Sequence, residues 1–398
     1  MKLPHQGVAA KIINTMLKDD TTQRPLKNLL DNATGQAREH FKNRDRVVQN
    51  ELPITGTAGA LGVIAQHGEV VARAHSGVAS FVMPTGEPLP EPAQEQITDQ
   101  HLWDVASITK TVVTVAALTL VDQQILDLNA RVTDYLPEFA VAENTREKDE
   151  PRQNITLRHL MTHTAGLQAV SEPWTVPGGR AERAQYILKL PLENKPGEVH
   201  VYSCVGFMIL GLAIERVTGK SLPDIIATNV TEPLGMNSTT YTPNPDAPIV
   251  ATEFQEKFGR GLVRGEVHDE AAWFLGTSGN AGLFSNADDL LRFGEEIRTG
   301  SHGVLSEKSR ALLTEGTLRP DQISQVGYDQ AIGFRLGQEL FMGSPDKHLL
   351  GHTGFTGPSL VIDPDHGRVS VLLTNSVHPQ RGTFDVNPLR RQVHMLGR

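Results

Sequence analysis

Apolar residues along the chain follow two different rhythms. Val113, Ala116, Ala117 and Leu120 recur at i, i+3, i+4 and i+7, the spacing of one helical face, and predict a helix over 107–123. Similar patterns predict helices over 156–162, 180–189, 203–218 and 221–229, so the middle of the chain reads as helical. Ser285-Asn286-Ala287-Asp288 carries capping side chains and opens a further helix running to about residue 298. The second rhythm is that of strands. GVIA and VVARA flank a His67-Gly68 turn and predict a β-hairpin over 60–74. IGFRLG (332–337), SLVIDP (359–364) and RVSVLLTN (368–375) are strand-like, the last two joined by a turn at 364–367. PTGEPLPEP (84–92), with four prolines, is predicted to be loop, and the charge run ENTREKDEPR (143–152) a solvated loop.

Strands at both ends around a helical middle imply one sheet built from the two ends of the chain, with a helical domain inserted. The expected fold class is α/β (α+β). Residues 1–50 form a charged helical extension, 51–120 and 281–398 the α/β sheet domain, and 121–280 the helical domain. A long insertion is expected at 241–270, where prolines and glycines break the pattern.

Charge and cysteine content narrow the functions. The 398 residues include 37 Lys+Arg and 46 Asp+Glu, a formal net charge of −9. That balance argues against a nucleic-acid partner, which calls for a basic stripe. The single cysteine, Cys204, excludes an intrachain disulfide and a cysteine-based zinc site. The longest apolar-leaning stretches, near 111–121 and 204–214, are about half the roughly 20 residues that span a bilayer. With no secretory or lipidation pattern in its first 25 residues, the chain is expected to be cytoplasmic, without a membrane partner. The sequence does not specify an oligomeric state.

Three short motifs carry chemistry. In Ser107-Ile108-Thr109-Lys110 the first and last residues share a helix face. A serine hydroxyl needs a base, and a lysine can be one if burial and the helix N-terminus push its pKa down. An SxxK also occurs by chance on surface helices. Tyr202-Ser203-Cys204 follows Lys195-Pro196-Gly197 and opens a helix; a tyrosine beside a lysine can relay protons, although an interior tyrosine often serves packing alone. His352-Thr353-Gly354 precedes a strand, where small residues let a substrate backbone lie along the edge. The Phe355 N–H is then placed to donate to an oxyanion, and a plain glycine turn is the alternative.

In this order, SxxK, YxC and HTG resemble the penicillin-recognising serine hydrolases, and most nearly the class C β-lactamase-related group with its family VIII esterases and D-aminopeptidases. The resemblance covers about residues 56–395 and includes WDVASITKTVVT (103–114), ITLRHLMTHTAGL (155–167), KPGEVHVYSCVGFMILG (195–211) and VHDEAAWFLGTSGNAGLFSNADDLLRF (267–293). It implies a β-lactamase/transpeptidase-like fold, an antiparallel sheet flanked by helices plus an all-helical domain, with the active site between them. Ser107 would be the acyl-enzyme nucleophile, with Lys110 and Tyr202 sharing acid–base duties. The backbone N–H groups of Ser107 and Phe355 would form the oxyanion hole, with His352, Gly354 and Cys204 also facing substrate.

Two departures from the family pattern bear on substrate. Cys204 stands where the family has an amide-binding Asn, and a thiol is a weak donor and acceptor. His352 stands where Lys is common, so a weaker clamp on a carboxylate is expected. Both favour a carboxylesterase acting on small acyl esters over a β-lactamase or a D-amino-acid peptidase or D-aminopeptidase; a catalytically weak binding or scaffold member is the alternative from another class. No metal and no cofactor are expected. His159 and His163 lack the HExxH glutamate, His268-Asp269 reads as structural, and no GxSxG elbow occurs. Asp363 and Asp365 start like a calcium loop, but its twelfth position is Thr374, so a hairpin turn is expected.

Overall fold

The computed structural model describes residues 6–41, 56–142, 150–382 and 384–398. Its centre is a seven-stranded sheet of Gly59–Gln66 (β1), Glu69–Gly77 (β2), Asp329–Gln330 (β3), Arg335–Leu336 (β4), Leu350–Thr353 (β5), Ser359–Asp363 (β6) and Arg368–Thr374 (β7). The spatial order is β2-β1-β7-β6-β5-β4-β3, and every pairing is antiparallel. β1 lies against β7, from Ala60 opposite Thr374 to Gln66 opposite Arg368. The two ends of the chain therefore meet inside one sheet, and β1 and β2 form the hairpin that the His67-Gly68 turn predicts.

Both faces of this sheet are covered, which is why β1 is apolar on both. Ala60 and Ile64 face a cluster with Leu26, Leu30, Leu389 and Val393, from helix α1 (Gln6–Phe41) and the C-terminal helix. Leu61, Val63 and Ala65 face the main core, which includes helix α2 (Thr109–Asp122). α2 is buried all round from Thr109 to Leu120 rather than along one stripe. Two of its threonines close their hydroxyls locally, Thr111 onto Ile108 O and Thr119 onto Ala116 O, both at 2.7 Å. The helical middle is present as expected, with helix α3 (Leu157–Met161), helix α4 (Arg180–Lys189) and helix α5 (Cys204–Thr218). Helix α6 (Ala287–Thr299) is capped by Asn286, which accepts from Asp289 N–H at 2.9 Å. The C-terminal helix is α7 (Asn387–Met395).

The charge run at 143–152 is corrected at its end. Glu150–Gln153 is a helical turn, and Arg152 is wholly buried. Its guanidinium donates to Phe139 O at 2.8 Å, Leu190 O at 2.6 Å and Leu188 O, and lies 4.1 Å from the Phe139 ring centroid. Two of these carbonyls, of Leu188 and Leu190, lie at the C-terminus of α4, so a cation is drawn in where the loop was expected to be solvated. Residues 143–149 lie outside the described residues, as do 1–5 and 42–50 of the N-terminal extension. The hairpin turn at 364–367 is present, with Asp363 engaged by His366 at 2.9 Å and Arg398 at 2.8 Å. Among the described residues no helix is long and apolar enough to cross a membrane.

Candidate active site

The strand pair Trp103–Asp104 and Phe284–Ser285 delivers the chain to a sharp bend. Ala106 takes a left-handed φ of 45° and begins the short 3-10 turn Ala106–Ile108 that runs into α2. Asp104, buried, organises this bend. One carboxylate oxygen accepts Ala106 N–H at 2.8 Å, the other His268 N–H at 2.6 Å, and its backbone carbonyl accepts the Thr356 hydroxyl at 2.8 Å. Ser107, half-buried, follows directly and faces a cavity of about 590 Å³.

One turn further, Lys110 is wholly buried. Its ammonium donates to Ser107 Oγ at 2.9 Å, to Asn280 O at 2.8 Å and to Cys204 Sγ at 3.5 Å, which uses all three protons. It also lies 5.1 Å from the Tyr202 ring centroid. The expectation that its pKa is pushed down is corrected. Burial acts to lower it, the neighbouring Cys204 and Tyr202 act to raise it, and the net direction is upward.

Tyr202 and Cys204 arrive on the segment leading into α5. Ser203 caps that helix by accepting Gly206 N–H at 3.1 Å, and its own N–H donates to His163 Nδ1 at 3.0 Å. His163, at a left-handed φ of 58°, also accepts Val201 N–H on its carbonyl at 2.9 Å and places its ring 4.6 Å from that of Tyr202. The tyrosine is thus clamped from behind. Its buried hydroxyl has no hydrogen-bond partner.

The HTG segment ends β5. Thr353, Gly354 and Phe355 border the cavity, whereas His352 is buried behind it, its Nδ1 donating to Thr353 O at 2.8 Å. Burial first, then Arg335 and Lys110, hold the His352 pKa well below its ordinary value, so the ring is neutral. A Cβ on Gly354 would lie 2.6 Å from Val105 O, so this loop presses against the backbone just ahead of Ser107. Arg390 fixes it from the other side, donating to Gly354 O at 2.8 Å, Gly357 O at 2.9 Å and Pro358 O at 3.1 Å.

Arg335, on β4, borders the cavity together with Arg381 and Arg390. Its guanidinium carbon is 4.7 Å from the Tyr202 ring centroid, and Nη1 donates to Gln338 Oε1 at 2.9 Å and Thr353 Oγ1 at 3.3 Å. No carboxylate pairs with it among the described residues, and its buried Nε has no partner. In sequence it is one basic residue in a strand pattern. Only the register, which sets Arg335 opposite Gly351, carries it beside the HTG segment. Residues 253–269 supply another part of the lining that the sequence did not reveal. His268 Nε2 meets Glu253 at 2.9 Å, and His268 and Asp269 border the cavity.

Ser107, Tyr202, Cys204, Gly354 and Phe355 therefore converge on one cavity, with Lys110 and His352 behind them. Among the described residues no cluster of three or more His, Cys, Asp or Glu could hold a metal ion. His159 and His163 engage backbone N–H groups instead.

Comparison with known proteins shows the family of the chain. Residues 44–395 match the family model described as Beta-lactamase. The chain is 30% identical over 367 residues to an N-acetylmuramyl-L-alanine amidase of Bacillus subtilis (strain 168), covering 84% of this chain and 80% of that one. It is 30% identical over 323 residues to a putative D-alanyl-D-alanine carboxypeptidase of Salmonella agona (strain SL483), covering 73% of each. Among solved structures, EstCE1, a hydrolase with promiscuous acyltransferase activity, superposes with a TM-score of 0.72 at 21% identity, over 96% of this chain and 100% of that one. An octameric penicillin-binding protein homologue from Pyrococcus abyssi gives 0.65 at 20% identity, over 84% and 72%. At such identities the two structures establish a shared fold.

Proposed function

This chain is a serine hydrolase of the Beta-lactamase family, and from that premise we propose that it hydrolyses carboxylic esters through an acyl-enzyme on Ser107. The observation that carries this reading is the 2.9 Å contact between Lys110 Nζ and Ser107 Oγ, in a site where the buried Tyr202 hydroxyl has no hydrogen-bond partner. Ser107 Oγ attacks the acyl carbon. The Lys110 ammonium steadies the charge growing on that oxygen, and the serine proton passes through Tyr202 to the departing alcohol oxygen. Ser107 and Phe355 N–H groups receive the carbonyl oxygen as it becomes negative. Water then enters, gives its proton back along the same route, and releases the acid with Ser107 restored.

Ester rather than amide chemistry is favoured by Cys204. Its sulfur takes a proton of Lys110 at 3.5 Å but offers an amide substrate only a weak partner. EstCE1, a hydrolase, shares the fold over 96% of this chain. A second reading has a specific observation behind it. Arg335 supplies the cation that neutral His352 lacks, which suits an amide or peptide ending in a carboxylate, the class named for the putative D-alanyl-D-alanine carboxypeptidase relative.

Mass spectrometry after incubation with p-nitrophenyl acetate or an alkyl phosphonate is expected to find a covalent adduct on Ser107 that is absent from Ser107→Ala. No adduct with either reagent overturns the hydrolase mechanism in favour of a binding or scaffold role. Faster release of D-alanine from a peptide ending in two D-alanines, or faster nitrocefin turnover, overturns the ester preference alone.

A further inference from the structure

The HTG segment runs into a tight turn whose backbone is tied at several points. Gly354 N–H donates to Pro358 O at 2.8 Å, and Gly357 N–H returns to Gly354 O at 3.1 Å. Thr356 O takes the Ser376 hydroxyl at 3.2 Å, while the Thr356 hydroxyl donates to Asp104 O at 2.8 Å. The Phe355 N–H, by contrast, meets no acceptor among the described residues, although Phe355 borders the cavity that Ser107 faces. An open backbone donor beside a nucleophile is what a developing oxyanion requires.

The carbonyl of that same peptide unit, Gly354 O, carries a second donor, Arg390 Nη2 at 2.8 Å. Arg390 lies on α7 and is only 6% exposed. Nη2 also reaches Gly357 O at 2.9 Å and Pro358 O at 3.1 Å, Nε donates to Gly357 O at 3.2 Å, and Asn387 Oδ1 steadies Nη1 at 2.9 Å. The Gly354–Phe355 peptide is trans, so its N–H points opposite to its C=O, and fixing one end fixes the direction of the other. A hydrogen bond to the carbonyl also polarises the amide and makes its N–H a stronger donor. Charge adds to this. Burial, then Arg335, push the Arg390 pKa down to about 9 against the pull of Asp385, so the group is a cation at neutral pH. Its acceptors are three carbonyls and an amide oxygen, with no carboxylate among the described residues. A buried cation behind the peptide favours negative charge in front of it.

We propose that Arg390 is the positioning residue of the oxyanion hole, holding and polarising the Gly354–Phe355 peptide so that its N–H is aimed at the substrate's carbonyl oxygen. This rests on the acyl-enzyme reading and adds a residue that acts through Phe355 N–H rather than by touching substrate. p-Nitrophenyl acetate is the diagnostic substrate, because it has no carboxylate for a guanidinium to bind. With it, Arg390→Gln is expected to lower kcat by about 10–100-fold and to leave KM within about threefold. The rate constant for labelling of Ser107 by an alkyl phosphonate, whose phosphoryl oxygen takes the oxyanion position, is expected to fall by a similar factor. Arg390→Lys, which keeps the charge and reaches one carbonyl, is expected to lose about 3–10-fold in both quantities, and it reads the proposal even if Arg390→Gln fails to fold. A merely structural role lowers the fraction of protein that is labelled but not the rate constant of labelling. That result overturns the proposal and leaves the acyl-enzyme reading standing. So does an unchanged kcat, or a loss confined to KM. If the wild-type protein hydrolyses no ester and Ser107 takes no adduct, the acyl-enzyme reading itself falls, and the role of Arg390 with it.

Discussion

Asp104 joins three parts of the site through one carboxyl group and one carbonyl. It holds the bend before the nucleophile, the loop carrying Phe355 and the insertion at His268. Burial raises its pKa despite these contacts, so its charge is held at a cost to the fold. Asp104→Asn removes that cost but sets an amide N–H against one of two backbone donors. We expect kcat to fall by about 10–100-fold, as small displacements of reacting groups do, with a much smaller change in thermal midpoint. Parallel losses of stability and rate would show that Asp104 is merely structural. Tyr202→Phe separates the same two quantities more cleanly. The lost hydroxyl is buried and unpartnered, so stability should hold or rise, while acylation of Ser107 slows by about 10²–10⁴-fold. A destabilised but active Tyr202→Phe protein would remove Tyr202 from the proton route.

Between elements, the strongest test is Arg152, whose guanidinium closes the end of α4 and supports Phe139 O. Arg152→Ala leaves buried carbonyls without a donor and a cavity beside Phe139, so we expect a loss of roughly 3–5 kcal/mol in urea unfolding. A change below about 1 kcal/mol would mean that water enters and replaces the side chain. Arg152 also shows what a linear reading misses. Its neighbours in sequence are charged, so the pattern says solvent, whereas its partners lie 13, 36 and 38 residues away. The SxxK pair is legible because i and i+3 are neighbours on any helix. The β1–β2 hairpin is legible because a His-Gly turn and two apolar runs are local. Arg335 and His268 were not, since strand register and the course of a long insertion bring them to the cavity. The HTG motif lies where the loop borders the cavity, but its histidine is buried and neutral, and one of the cavity's cations, Arg335, comes from the adjacent strand.

Across the whole molecule, buried neutral histidines join the layers. His378 donates from Nδ1 to Thr252 O at 2.7 Å and accepts Phe81 N–H on Nε2 at 2.9 Å, tying the insertion to the segment after β2. His394 on α7 bridges Ser359 of β6 at 2.8 Å and Ser370 of β7 at 2.7 Å. Burial pushes His378 down to about 4 and His394 to about 3, and His200, beside Arg335, is pushed down to about 4. A histidine whose folded pKa lies below its unfolded value near 6.5 supports the fold above pH 6.5 and withdraws that support as pH falls toward the folded value. Three such groups make stability fall by about 4 kcal/mol per pH unit between roughly 6 and 4. Glu253, lowered to about 2 by His268 and Arg381 against the opposing effect of burial, acts in a lower window, losing its contribution from about 4.5 downward. Urea midpoints measured at pH 7.5, 6.0 and 5.0 should therefore drop steeply across the last interval. His394→Gln, which keeps a donor and an acceptor for the two serines, should reduce that slope by about one proton. Midpoints that stay level down to pH 5 would mean that the joints open and admit water before the histidines titrate, and that the layers are held by their apolar faces alone.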